Sequence, residues 1–259
     1  MAEPQIRFND GAAYEKMMGT WSRLVGDVFL DWLAPAKGLS WVDVGCGNGA
    51  FTQAIVDRCA PSAVKGIDPS EGQLAFARQR PAARVAQFDQ GNAMALPYGD
   101  NSFDAGVMAL VIFFVPDPAK GIAELARVVR PGGLIATYAW DMFGGGFPMQ
   151  PIQAEMPALG INPPAPPSAP ASRIDAMRAL WSGAGIGAIE TREITVERGF
   201  ASFDDFWTST IPGASALAAL PPDRLAELKE RVRPRLPTDA AGRITYSSRA
   251  NAIKGRLPK

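Results

Sequence analysis

The sequence contains no histidine. That absence excludes Ser-His-Asp triads and His-ligated zinc, and it leaves proton transfer to Asp, Glu, Tyr, Lys, Cys or water. Cysteine is nearly as scarce. Cys46 and Cys59 are too few for a disulfide framework or a structural zinc site, so no metal is expected and a reducing cytoplasm is the expected compartment. Excess charge is also missing: 26 Lys and Arg balance 26 Asp and Glu, which gives no electrostatic footprint for nucleic acid. Arg231, Arg233 and Arg235, set among apolar residues and prolines, read as a solvated face. No apolar run approaches the roughly 18–20 residues that span a bilayer. Met1 to Asp10 has neither the basic nor the apolar region of a signal peptide. The expected partner is a small-molecule substrate, with no nucleic acid and no membrane. The oligomeric state cannot be read.

What is present fits one α/β domain with insertions: 259 residues, 47% of them hydrophobic. From Ser40 to Trp140 short apolar runs alternate with helix-like segments, the pattern of βαβ units around a parallel sheet. Strands are predicted at 40–44, Ala63 to Ile67, Arg84 to Phe88, Phe103 to Leu110 and Leu134 to Trp140. Ser70 followed by Gln73 is a capping-box signature, and Asp117-Pro118 is a second helix start. Arg130-Pro131-Gly132-Gly133 is expected to end that second helix. Outside this block, Tyr14 to Leu33 reads as a helix, and a proline-dense stretch from Pro157 to Pro170 as an irregular insertion. Further helices are predicted around Arg173 to Ser182, Phe200 to Trp207 and Asp223 to Val232. Strands are predicted around Ala188 to Arg198 and Ile244 to Ile253. Three regions follow: an N-terminal helical lid (1–36), a cofactor-binding core (37–141), and a remainder that completes the sheet and covers the substrate (142–259).

The chemistry-bearing signal is Val42-Asp43-Val44-Gly45-Cys46-Gly47-Asn48-Gly49. Glycines after a strand let backbone approach a ligand, and the helix that follows opens with unpaired N–H groups. Alone the loop is ambiguous, because Gly45, Gly47 and Ala50 also satisfy the dinucleotide pattern. Asp68, at the end of the second predicted strand, suits the ribose hydroxyls of a nicotinamide cofactor or of S-adenosylmethionine. A tight turn without any ligand is the plainer reading.

Downstream segments break the tie. Together with the glycine loop, Gly66-Ile-Asp-Pro-Ser70, Gly91-Asn-Ala-Met-Ala-Leu-Pro97 running into Asp100-Asn-Ser-Phe-Asp104, and Glu124 to Gly133 resemble the class I S-adenosylmethionine (SAM)-dependent methyltransferases. The likeness is strongest to the small-molecule group with ubiquinone/menaquinone-biosynthesis-type enzymes, and it covers about residues 40 to 140. It implies a Rossmann-like α/β fold, a seven-stranded mostly parallel sheet with helices on both faces and a reversed last strand beside the fifth. It also implies S-adenosyl-L-methionine as cofactor. By the same resemblance Gly45, Cys46, Gly47 and Gly49 would pass beneath the methionine portion, and Asp43 would position that loop or the ammonium group. Asp68 would hold the ribose, with Pro69 and Ser70 beside the adenosine. Asn92, Ala93 and Met94 would lie at the adenine edge, and carbonyls near Ala109 and Leu110 would receive the ammonium.

Two departures stand out. Asn92 replaces the aspartate frequent in the family, so it can accept a hydrogen bond but brings no charge. Ile112-Phe113-Phe114 stands where many relatives carry a histidine, which argues against an acid-base group there. The Tyr14 to Ser22 segment resembles a cofactor-covering helix, with Tyr14, Met18 and Trp21 as candidates. Phe203, Phe206 and Trp207 have helical spacing and read first as core, second as a substrate wall. No catalytic residue is legible; Tyr14, Glu15 and Asp141 are conceivable bases. The reading is methyl transfer to an unidentified small molecule. The alternatives are a SAM-binding regulator or inactive paralogue and, behind these, an NAD(P)-dependent oxidoreductase.

Overall fold

The computed structural model describes residues 15–162, 165–211, 217 and 220–259. Seven strands form one sheet in the order β3-β2-β1-β4-β5-β7-β6. They are β1 (Ser40–Val44), β2 (Ala63–Asp68), β3 (Ala86–Gln90), β4 (Phe103–Ala109), β5 (Val129–Trp140), β6 (Gly187–Phe200) and β7 (Ile244–Arg256). β1 to β5 pair in parallel, and β7 runs antiparallel to both β5 and β6. The expected fold class therefore holds, with β7 as the reversed strand beside the fifth.

Helix α1 (Thr20–Leu33), preceded by a π-helical turn (Glu15–Gly19), and α2 (Ala50–Cys59) lie on one face. Phe29 of α1 and Phe51 of α2 both meet Tyr138 of β5, at ring-centroid distances of 4.6 and 5.6 Å. Helices α3 (Glu71–Ala77) and α4 (Pro118–Val128) follow β2 and β4. Leu125 of α4 packs over Gly106, whose pleat position is opposite to that of Tyr138, so α4 covers the second face. Trp181 of α5 (Ile174–Gly183) packs there too, over Gly255. Helices α6 (Phe203–Thr210) and α7 (Pro222–Val232) lie in the last third of the chain.

Local sequence explains the starts of α3 and α4. Ser70 Oγ accepts from the Gln73 amide and Asp117 Oδ1 from the Lys120 amide, as their capping positions predict. Two boundaries differ from the sequence reading. Pro81–Arg84 is a 3₁₀ turn, so β3 starts at Ala86 rather than at Arg84. Arg130 to Gly133 does not separate helix from strand. β5 already pairs at Val129 with Phe103, and Gly132, with φ at +74°, absorbs the register irregularity.

Candidate cofactor-binding site

The loop between β1 and α2 is fastened to β2. Both Gly45 N and Cys46 N donate to the Ile67 carbonyl, at 2.7 and 3.1 Å. Gly45, Gly47 and Gly49 all have positive φ, but for different reasons. A Cβ on Gly45 would overlap Val111, and one on Gly49 would come within 2.9 Å of Ala77 Cβ. Those two glycines are demanded by the protein's own packing. A Cβ on Gly47 would meet nothing nearer than Gln73 Oε1 at 3.9 Å. Gly47 alone of the three faces open space.

One carboxylate borders that space, and a second lies buried near it. Asp68, at the end of β2, accepts from Gly47 N through Oδ2 (2.9 Å) and from Ser70 N through Oδ1 (2.8 Å). Burial pushes its pKa up while both amides pull it down. Asp43 on β1 is fully buried; Thr52 Oγ1 of α2 donates to its Oδ2 at 2.6 Å, and Oδ1 has no partner among the described residues. Burial raises the Asp43 pKa to about 7, with Thr52 opposing and the charge of Asp68 adding to the rise. A buried acceptor without a donor costs about 1–3 kcal/mol. A cation or N–H donor brought by a ligand would remove that cost, so the site fits a group carrying an ammonium and a hydroxylated sugar.

The other predicted residues gather at the same strand ends. Gly91 N donates to the Asp68 carbonyl at 3.1 Å, which brings Asn92, Ala93 and Met94 beside β2. Pro69 presents its carbonyl to Gln90 Nε2, and Ser70 caps α3. Ala109 ends β4, and Leu110 holds φ at +60°, a strained value for a bulky residue at a strand end. Asn92 Oδ1 accepts from Met94 N at 2.8 Å and closes a local turn, which leaves its second lone pair for an adenine amino group. Cys46 is buried with Sγ close against Gly66, and burial holds its thiol pKa well up. Its backbone is held as well, N–H on the Ile67 carbonyl and C=O on the Gly49 amide, so Cys46 shapes the loop.

Of the N-terminal candidates, Tyr14 lies outside the described residues. Met18 and Trp21 are buried, and the Trp21 ring packs on Phe200 (6.4 Å) and Tyr246 (6.1 Å) at the tips of β6 and β7. Glu15 is the residue whose role sequence reasoning missed. Its Oε2 accepts from Asn48 Nδ2 at 2.8 Å and from Arg80 Nη2 at 2.6 Å, while Arg80 Nε donates to the Asn48 carbonyl at 2.6 Å. No pattern in the sequence signals this latch, since its three members are far apart. It also corrects the idea of Glu15 as a base, because the carboxylate is committed to Arg80. Asp141 fails likewise: it pairs with Arg249 Nη2 at 2.5 Å, which together with the Gly144 amide outweighs its burial and lowers its pKa. Phe113, Phe203, Phe206 and Trp207 are buried, in keeping with core.

The segments that broke the tie in the sequence serve as framework. Arg127 donates to the carbonyls of Leu96 (3.1 Å) and Tyr98 (2.8 Å) and to Asp100 (2.8 Å), and Glu124 Oε2 accepts from Leu96 N (2.8 Å). They fix the connection that carries Asn92 rather than touch the open space. Among the described residues no helix is long and apolar enough to cross a membrane.

Comparison with known proteins agrees with this geometry. Residues 42–137 match the methyltransferase domain family. The chain is 37% identical over 113 residues to the demethylmenaquinone methyltransferase of Bacillus licheniformis, covering 42% of this chain and 49% of that protein. It is 36% identical over 116 residues to the ubiquinone/menaquinone biosynthesis C-methyltransferase of Roseobacter denitrificans, covering 43% and 46%. The matches thus span about half the length of these curated relatives. The crystal structure of the YcgJ protein of Bacillus subtilis shares the fold at 17% identity with a TM-score of 0.63, covering 91% of this chain and 98% of that one. Residues 42–137 are thus similar to a methyltransferase domain, and the chain resembles the class I S-adenosylmethionine-dependent enzymes of the ubiquinone/menaquinone-biosynthesis type.

Proposed function

We propose that this chain transfers a methyl group from S-adenosyl-L-methionine to a small molecule. The observation that carries the reading is the open side of Gly47, with the Asp68 carboxylate on its amide and Asp43, buried near Asp68, keeping one oxygen unpartnered. Asp43 would receive the ammonium through its unpartnered oxygen, directly or through water, and Asp68 the ribose hydroxyls. Gly45, Cys46, Gly47 and Gly49 would supply the backbone floor. Pro69, Ser70, Asn92, Ala93 and Met94 would border the adenosine, and Ala109 and Leu110 the methionine end. Residues 1–36 act as a lid through Met18, Trp21 and Tyr14, on the core of residues 37–141; residues 142–259 complete the sheet and cover the acceptor.

The bound cofactor supplies a methyl on sulfonium, whose departure needs no general acid. The chain's contribution is to orient the acceptor in line and exclude water. Orientation is worth up to about 7–11 kcal/mol, and exclusion of water keeps the nucleophile from being solvated. This fits a site in which Glu15 and Asp141 are both tied up in ion pairs. The relatives named for demethylmenaquinone and ubiquinone/menaquinone biosynthesis make hydroquinones the first acceptors to try. The test is release of S-adenosylhomocysteine from the full chain with a panel of hydroquinones, phenols and phenolic acids. Acceptor-dependent release supports the reading. Tight SAM binding with no release across the panel favours the regulator instead.

A further inference from the structure

Away from the cofactor loop, the face of the sheet covered by α1 carries a second polar cluster. Arg198 on β6 lies opposite Tyr246 on β7, and the next pair on the same face is Val196 with Ser248. Ser248 is 2% exposed. Among the described residues Arg198 Nη1, Ser248 Oγ and Ser22 Oγ of α1 are buried without a hydrogen-bond partner. The Arg198 guanidinium sits 4.6 Å over the Phe200 ring, and Phe200 is itself packed by Trp21. Burial lowers the Arg198 pKa; the acid that opposes this is Asp205, whose Oδ2 accepts from the Ala201 amide. The cluster therefore offers unpaired donors and a half-buried cation that forms no ion pair among the described residues. Uncompensated buried charge is costly, and an anion of the right shape removes the cost.

α1 links this cluster to the cofactor loop. The turn that precedes it grips Asn48 and Arg80 through Glu15, and Trp21 roofs the tips of β6 and β7. Four strand spacings separate β1 from β6, about 19 Å at ~4.8 Å each, so the Arg198 cluster stands apart from the loop that would hold the cofactor.

We propose that Arg198, with the hydroxyl of Ser248, forms an oxyanion subsite that reads an anionic oxygen, a carboxylate or an ionised phenol, on the methyl acceptor. Its role in catalysis rests on the methyl-transfer reading; its existence as an anion site does not. Arg198 is a specificity residue here, and Phe200 and Trp21 supply the apolar wall against which an aromatic acid would lie.

The experiment uses the full chain labelled with ¹⁵N-arginine and saturated with S-adenosylhomocysteine, with the Arg198 side-chain signal assigned by its absence from Arg198→Gln. The probes are benzoate, 4-nitrophenolate at a pH where it is ionised, and neutral benzamide. A saturable shift of the Arg198 signal by benzoate or nitrophenolate, without one by benzamide, is expected. A response to benzoate alone assigns a carboxylate, and to nitrophenolate alone a phenolate. Ser248→Ala, which only shortens a side chain, should weaken the effective anion about threefold to tenfold while leaving S-adenosylhomocysteine affinity unchanged. The proposal is overturned if neither anion shifts the signal, if benzamide shifts it equally, or if Ser248→Ala binds the anion as the parent does. Failure of S-adenosylhomocysteine to bind would sink the methyl-transfer reading instead, and the same titrations without it would still decide the subsite.

Discussion

Glu15 and Arg80 meet in a 2.6 Å ion pair at the glycine loop, with Asn48 of that loop held between them. The pair couples the N-terminal segment to the cofactor site. Both side chains are partly exposed, at 41% and 19%, so solvent screening limits the pair to about 0.5–1 kcal/mol. Glu15→Ala is expected to weaken SAM binding about threefold to fivefold and to speed tryptic cleavage of the N-terminal segment. Arg80→Ala should do the same, and the double variant should cost no more than either single one. Calorimetry with limited proteolysis reads both effects. Parent-like affinity and cleavage in both single variants would reduce the segment to scaffold.

The glycines of the loop separate by what lies beyond them. Gly45→Ala should lower the melting temperature sharply, because Val111 occupies the space of its Cβ. Gly47→Val should fold, at a cost of about 1–2 kcal/mol for its left-handed backbone, and lose SAM affinity at least tenfold. Thermal melts and calorimetry on the two variants make the comparison. A folded Gly47→Val that binds SAM normally would put the ligand elsewhere.

Asp68→Ala removes a carboxylate aimed at the ribose. Hydrogen bonds to a charged group contribute about 1.5–3 kcal/mol each, so affinity should fall at least tenfold. The variant also frees the Gly47 and Ser70 amides, so Asp68→Asn, which keeps the shape and one of the two acceptors, is the milder companion. Unchanged affinity in both variants would remove Asp68 from the site.

Asp43 predicts a pH dependence. An unfolded aspartate ionises near 3.8, whereas burial pushes the folded Asp43 up to about 7. Between those values the native state holds the extra proton, so this group makes stability fall as pH rises through the window. Asp43→Asn has no such proton. Relative to the parent it should become progressively more stable from pH 4 to pH 7, by up to a few kcal/mol, and the difference should level off above that. Urea unfolding across this range reads it; a constant difference between the two proteins would mean Asp43 ionises normally.

Much of this was legible in the sequence. Strand-helix alternation gave β1 to β5, and Ser70 and Asp117 marked their helices because capping is a local interaction. The boundaries at β3 and β5 were misread because Pro81 and Gly132 act through turn and bulge geometry, which tertiary pairing decides. At the site, residue types marked Asp43, Gly47 and Asp68 correctly as neighbours. They did not show that Gly45 and Gly49 answer to Val111 and Ala77, nor that Asn92 closes a turn on Met94. The Glu15 latch and the Arg198 cluster join positions distant in sequence, and no periodicity encodes such meetings.

The central claim is that the space at Gly47 beside Asp68 takes S-adenosyl-L-methionine. Calorimetric titration of the full chain with SAM, S-adenosylhomocysteine and NADH tests it most directly. Saturable one-to-one binding of both sulfur ligands is predicted, abolished by Gly47→Val and weakened by Asp68→Ala, with no heat from NADH. Binding of NADH with none of SAM would contradict the account.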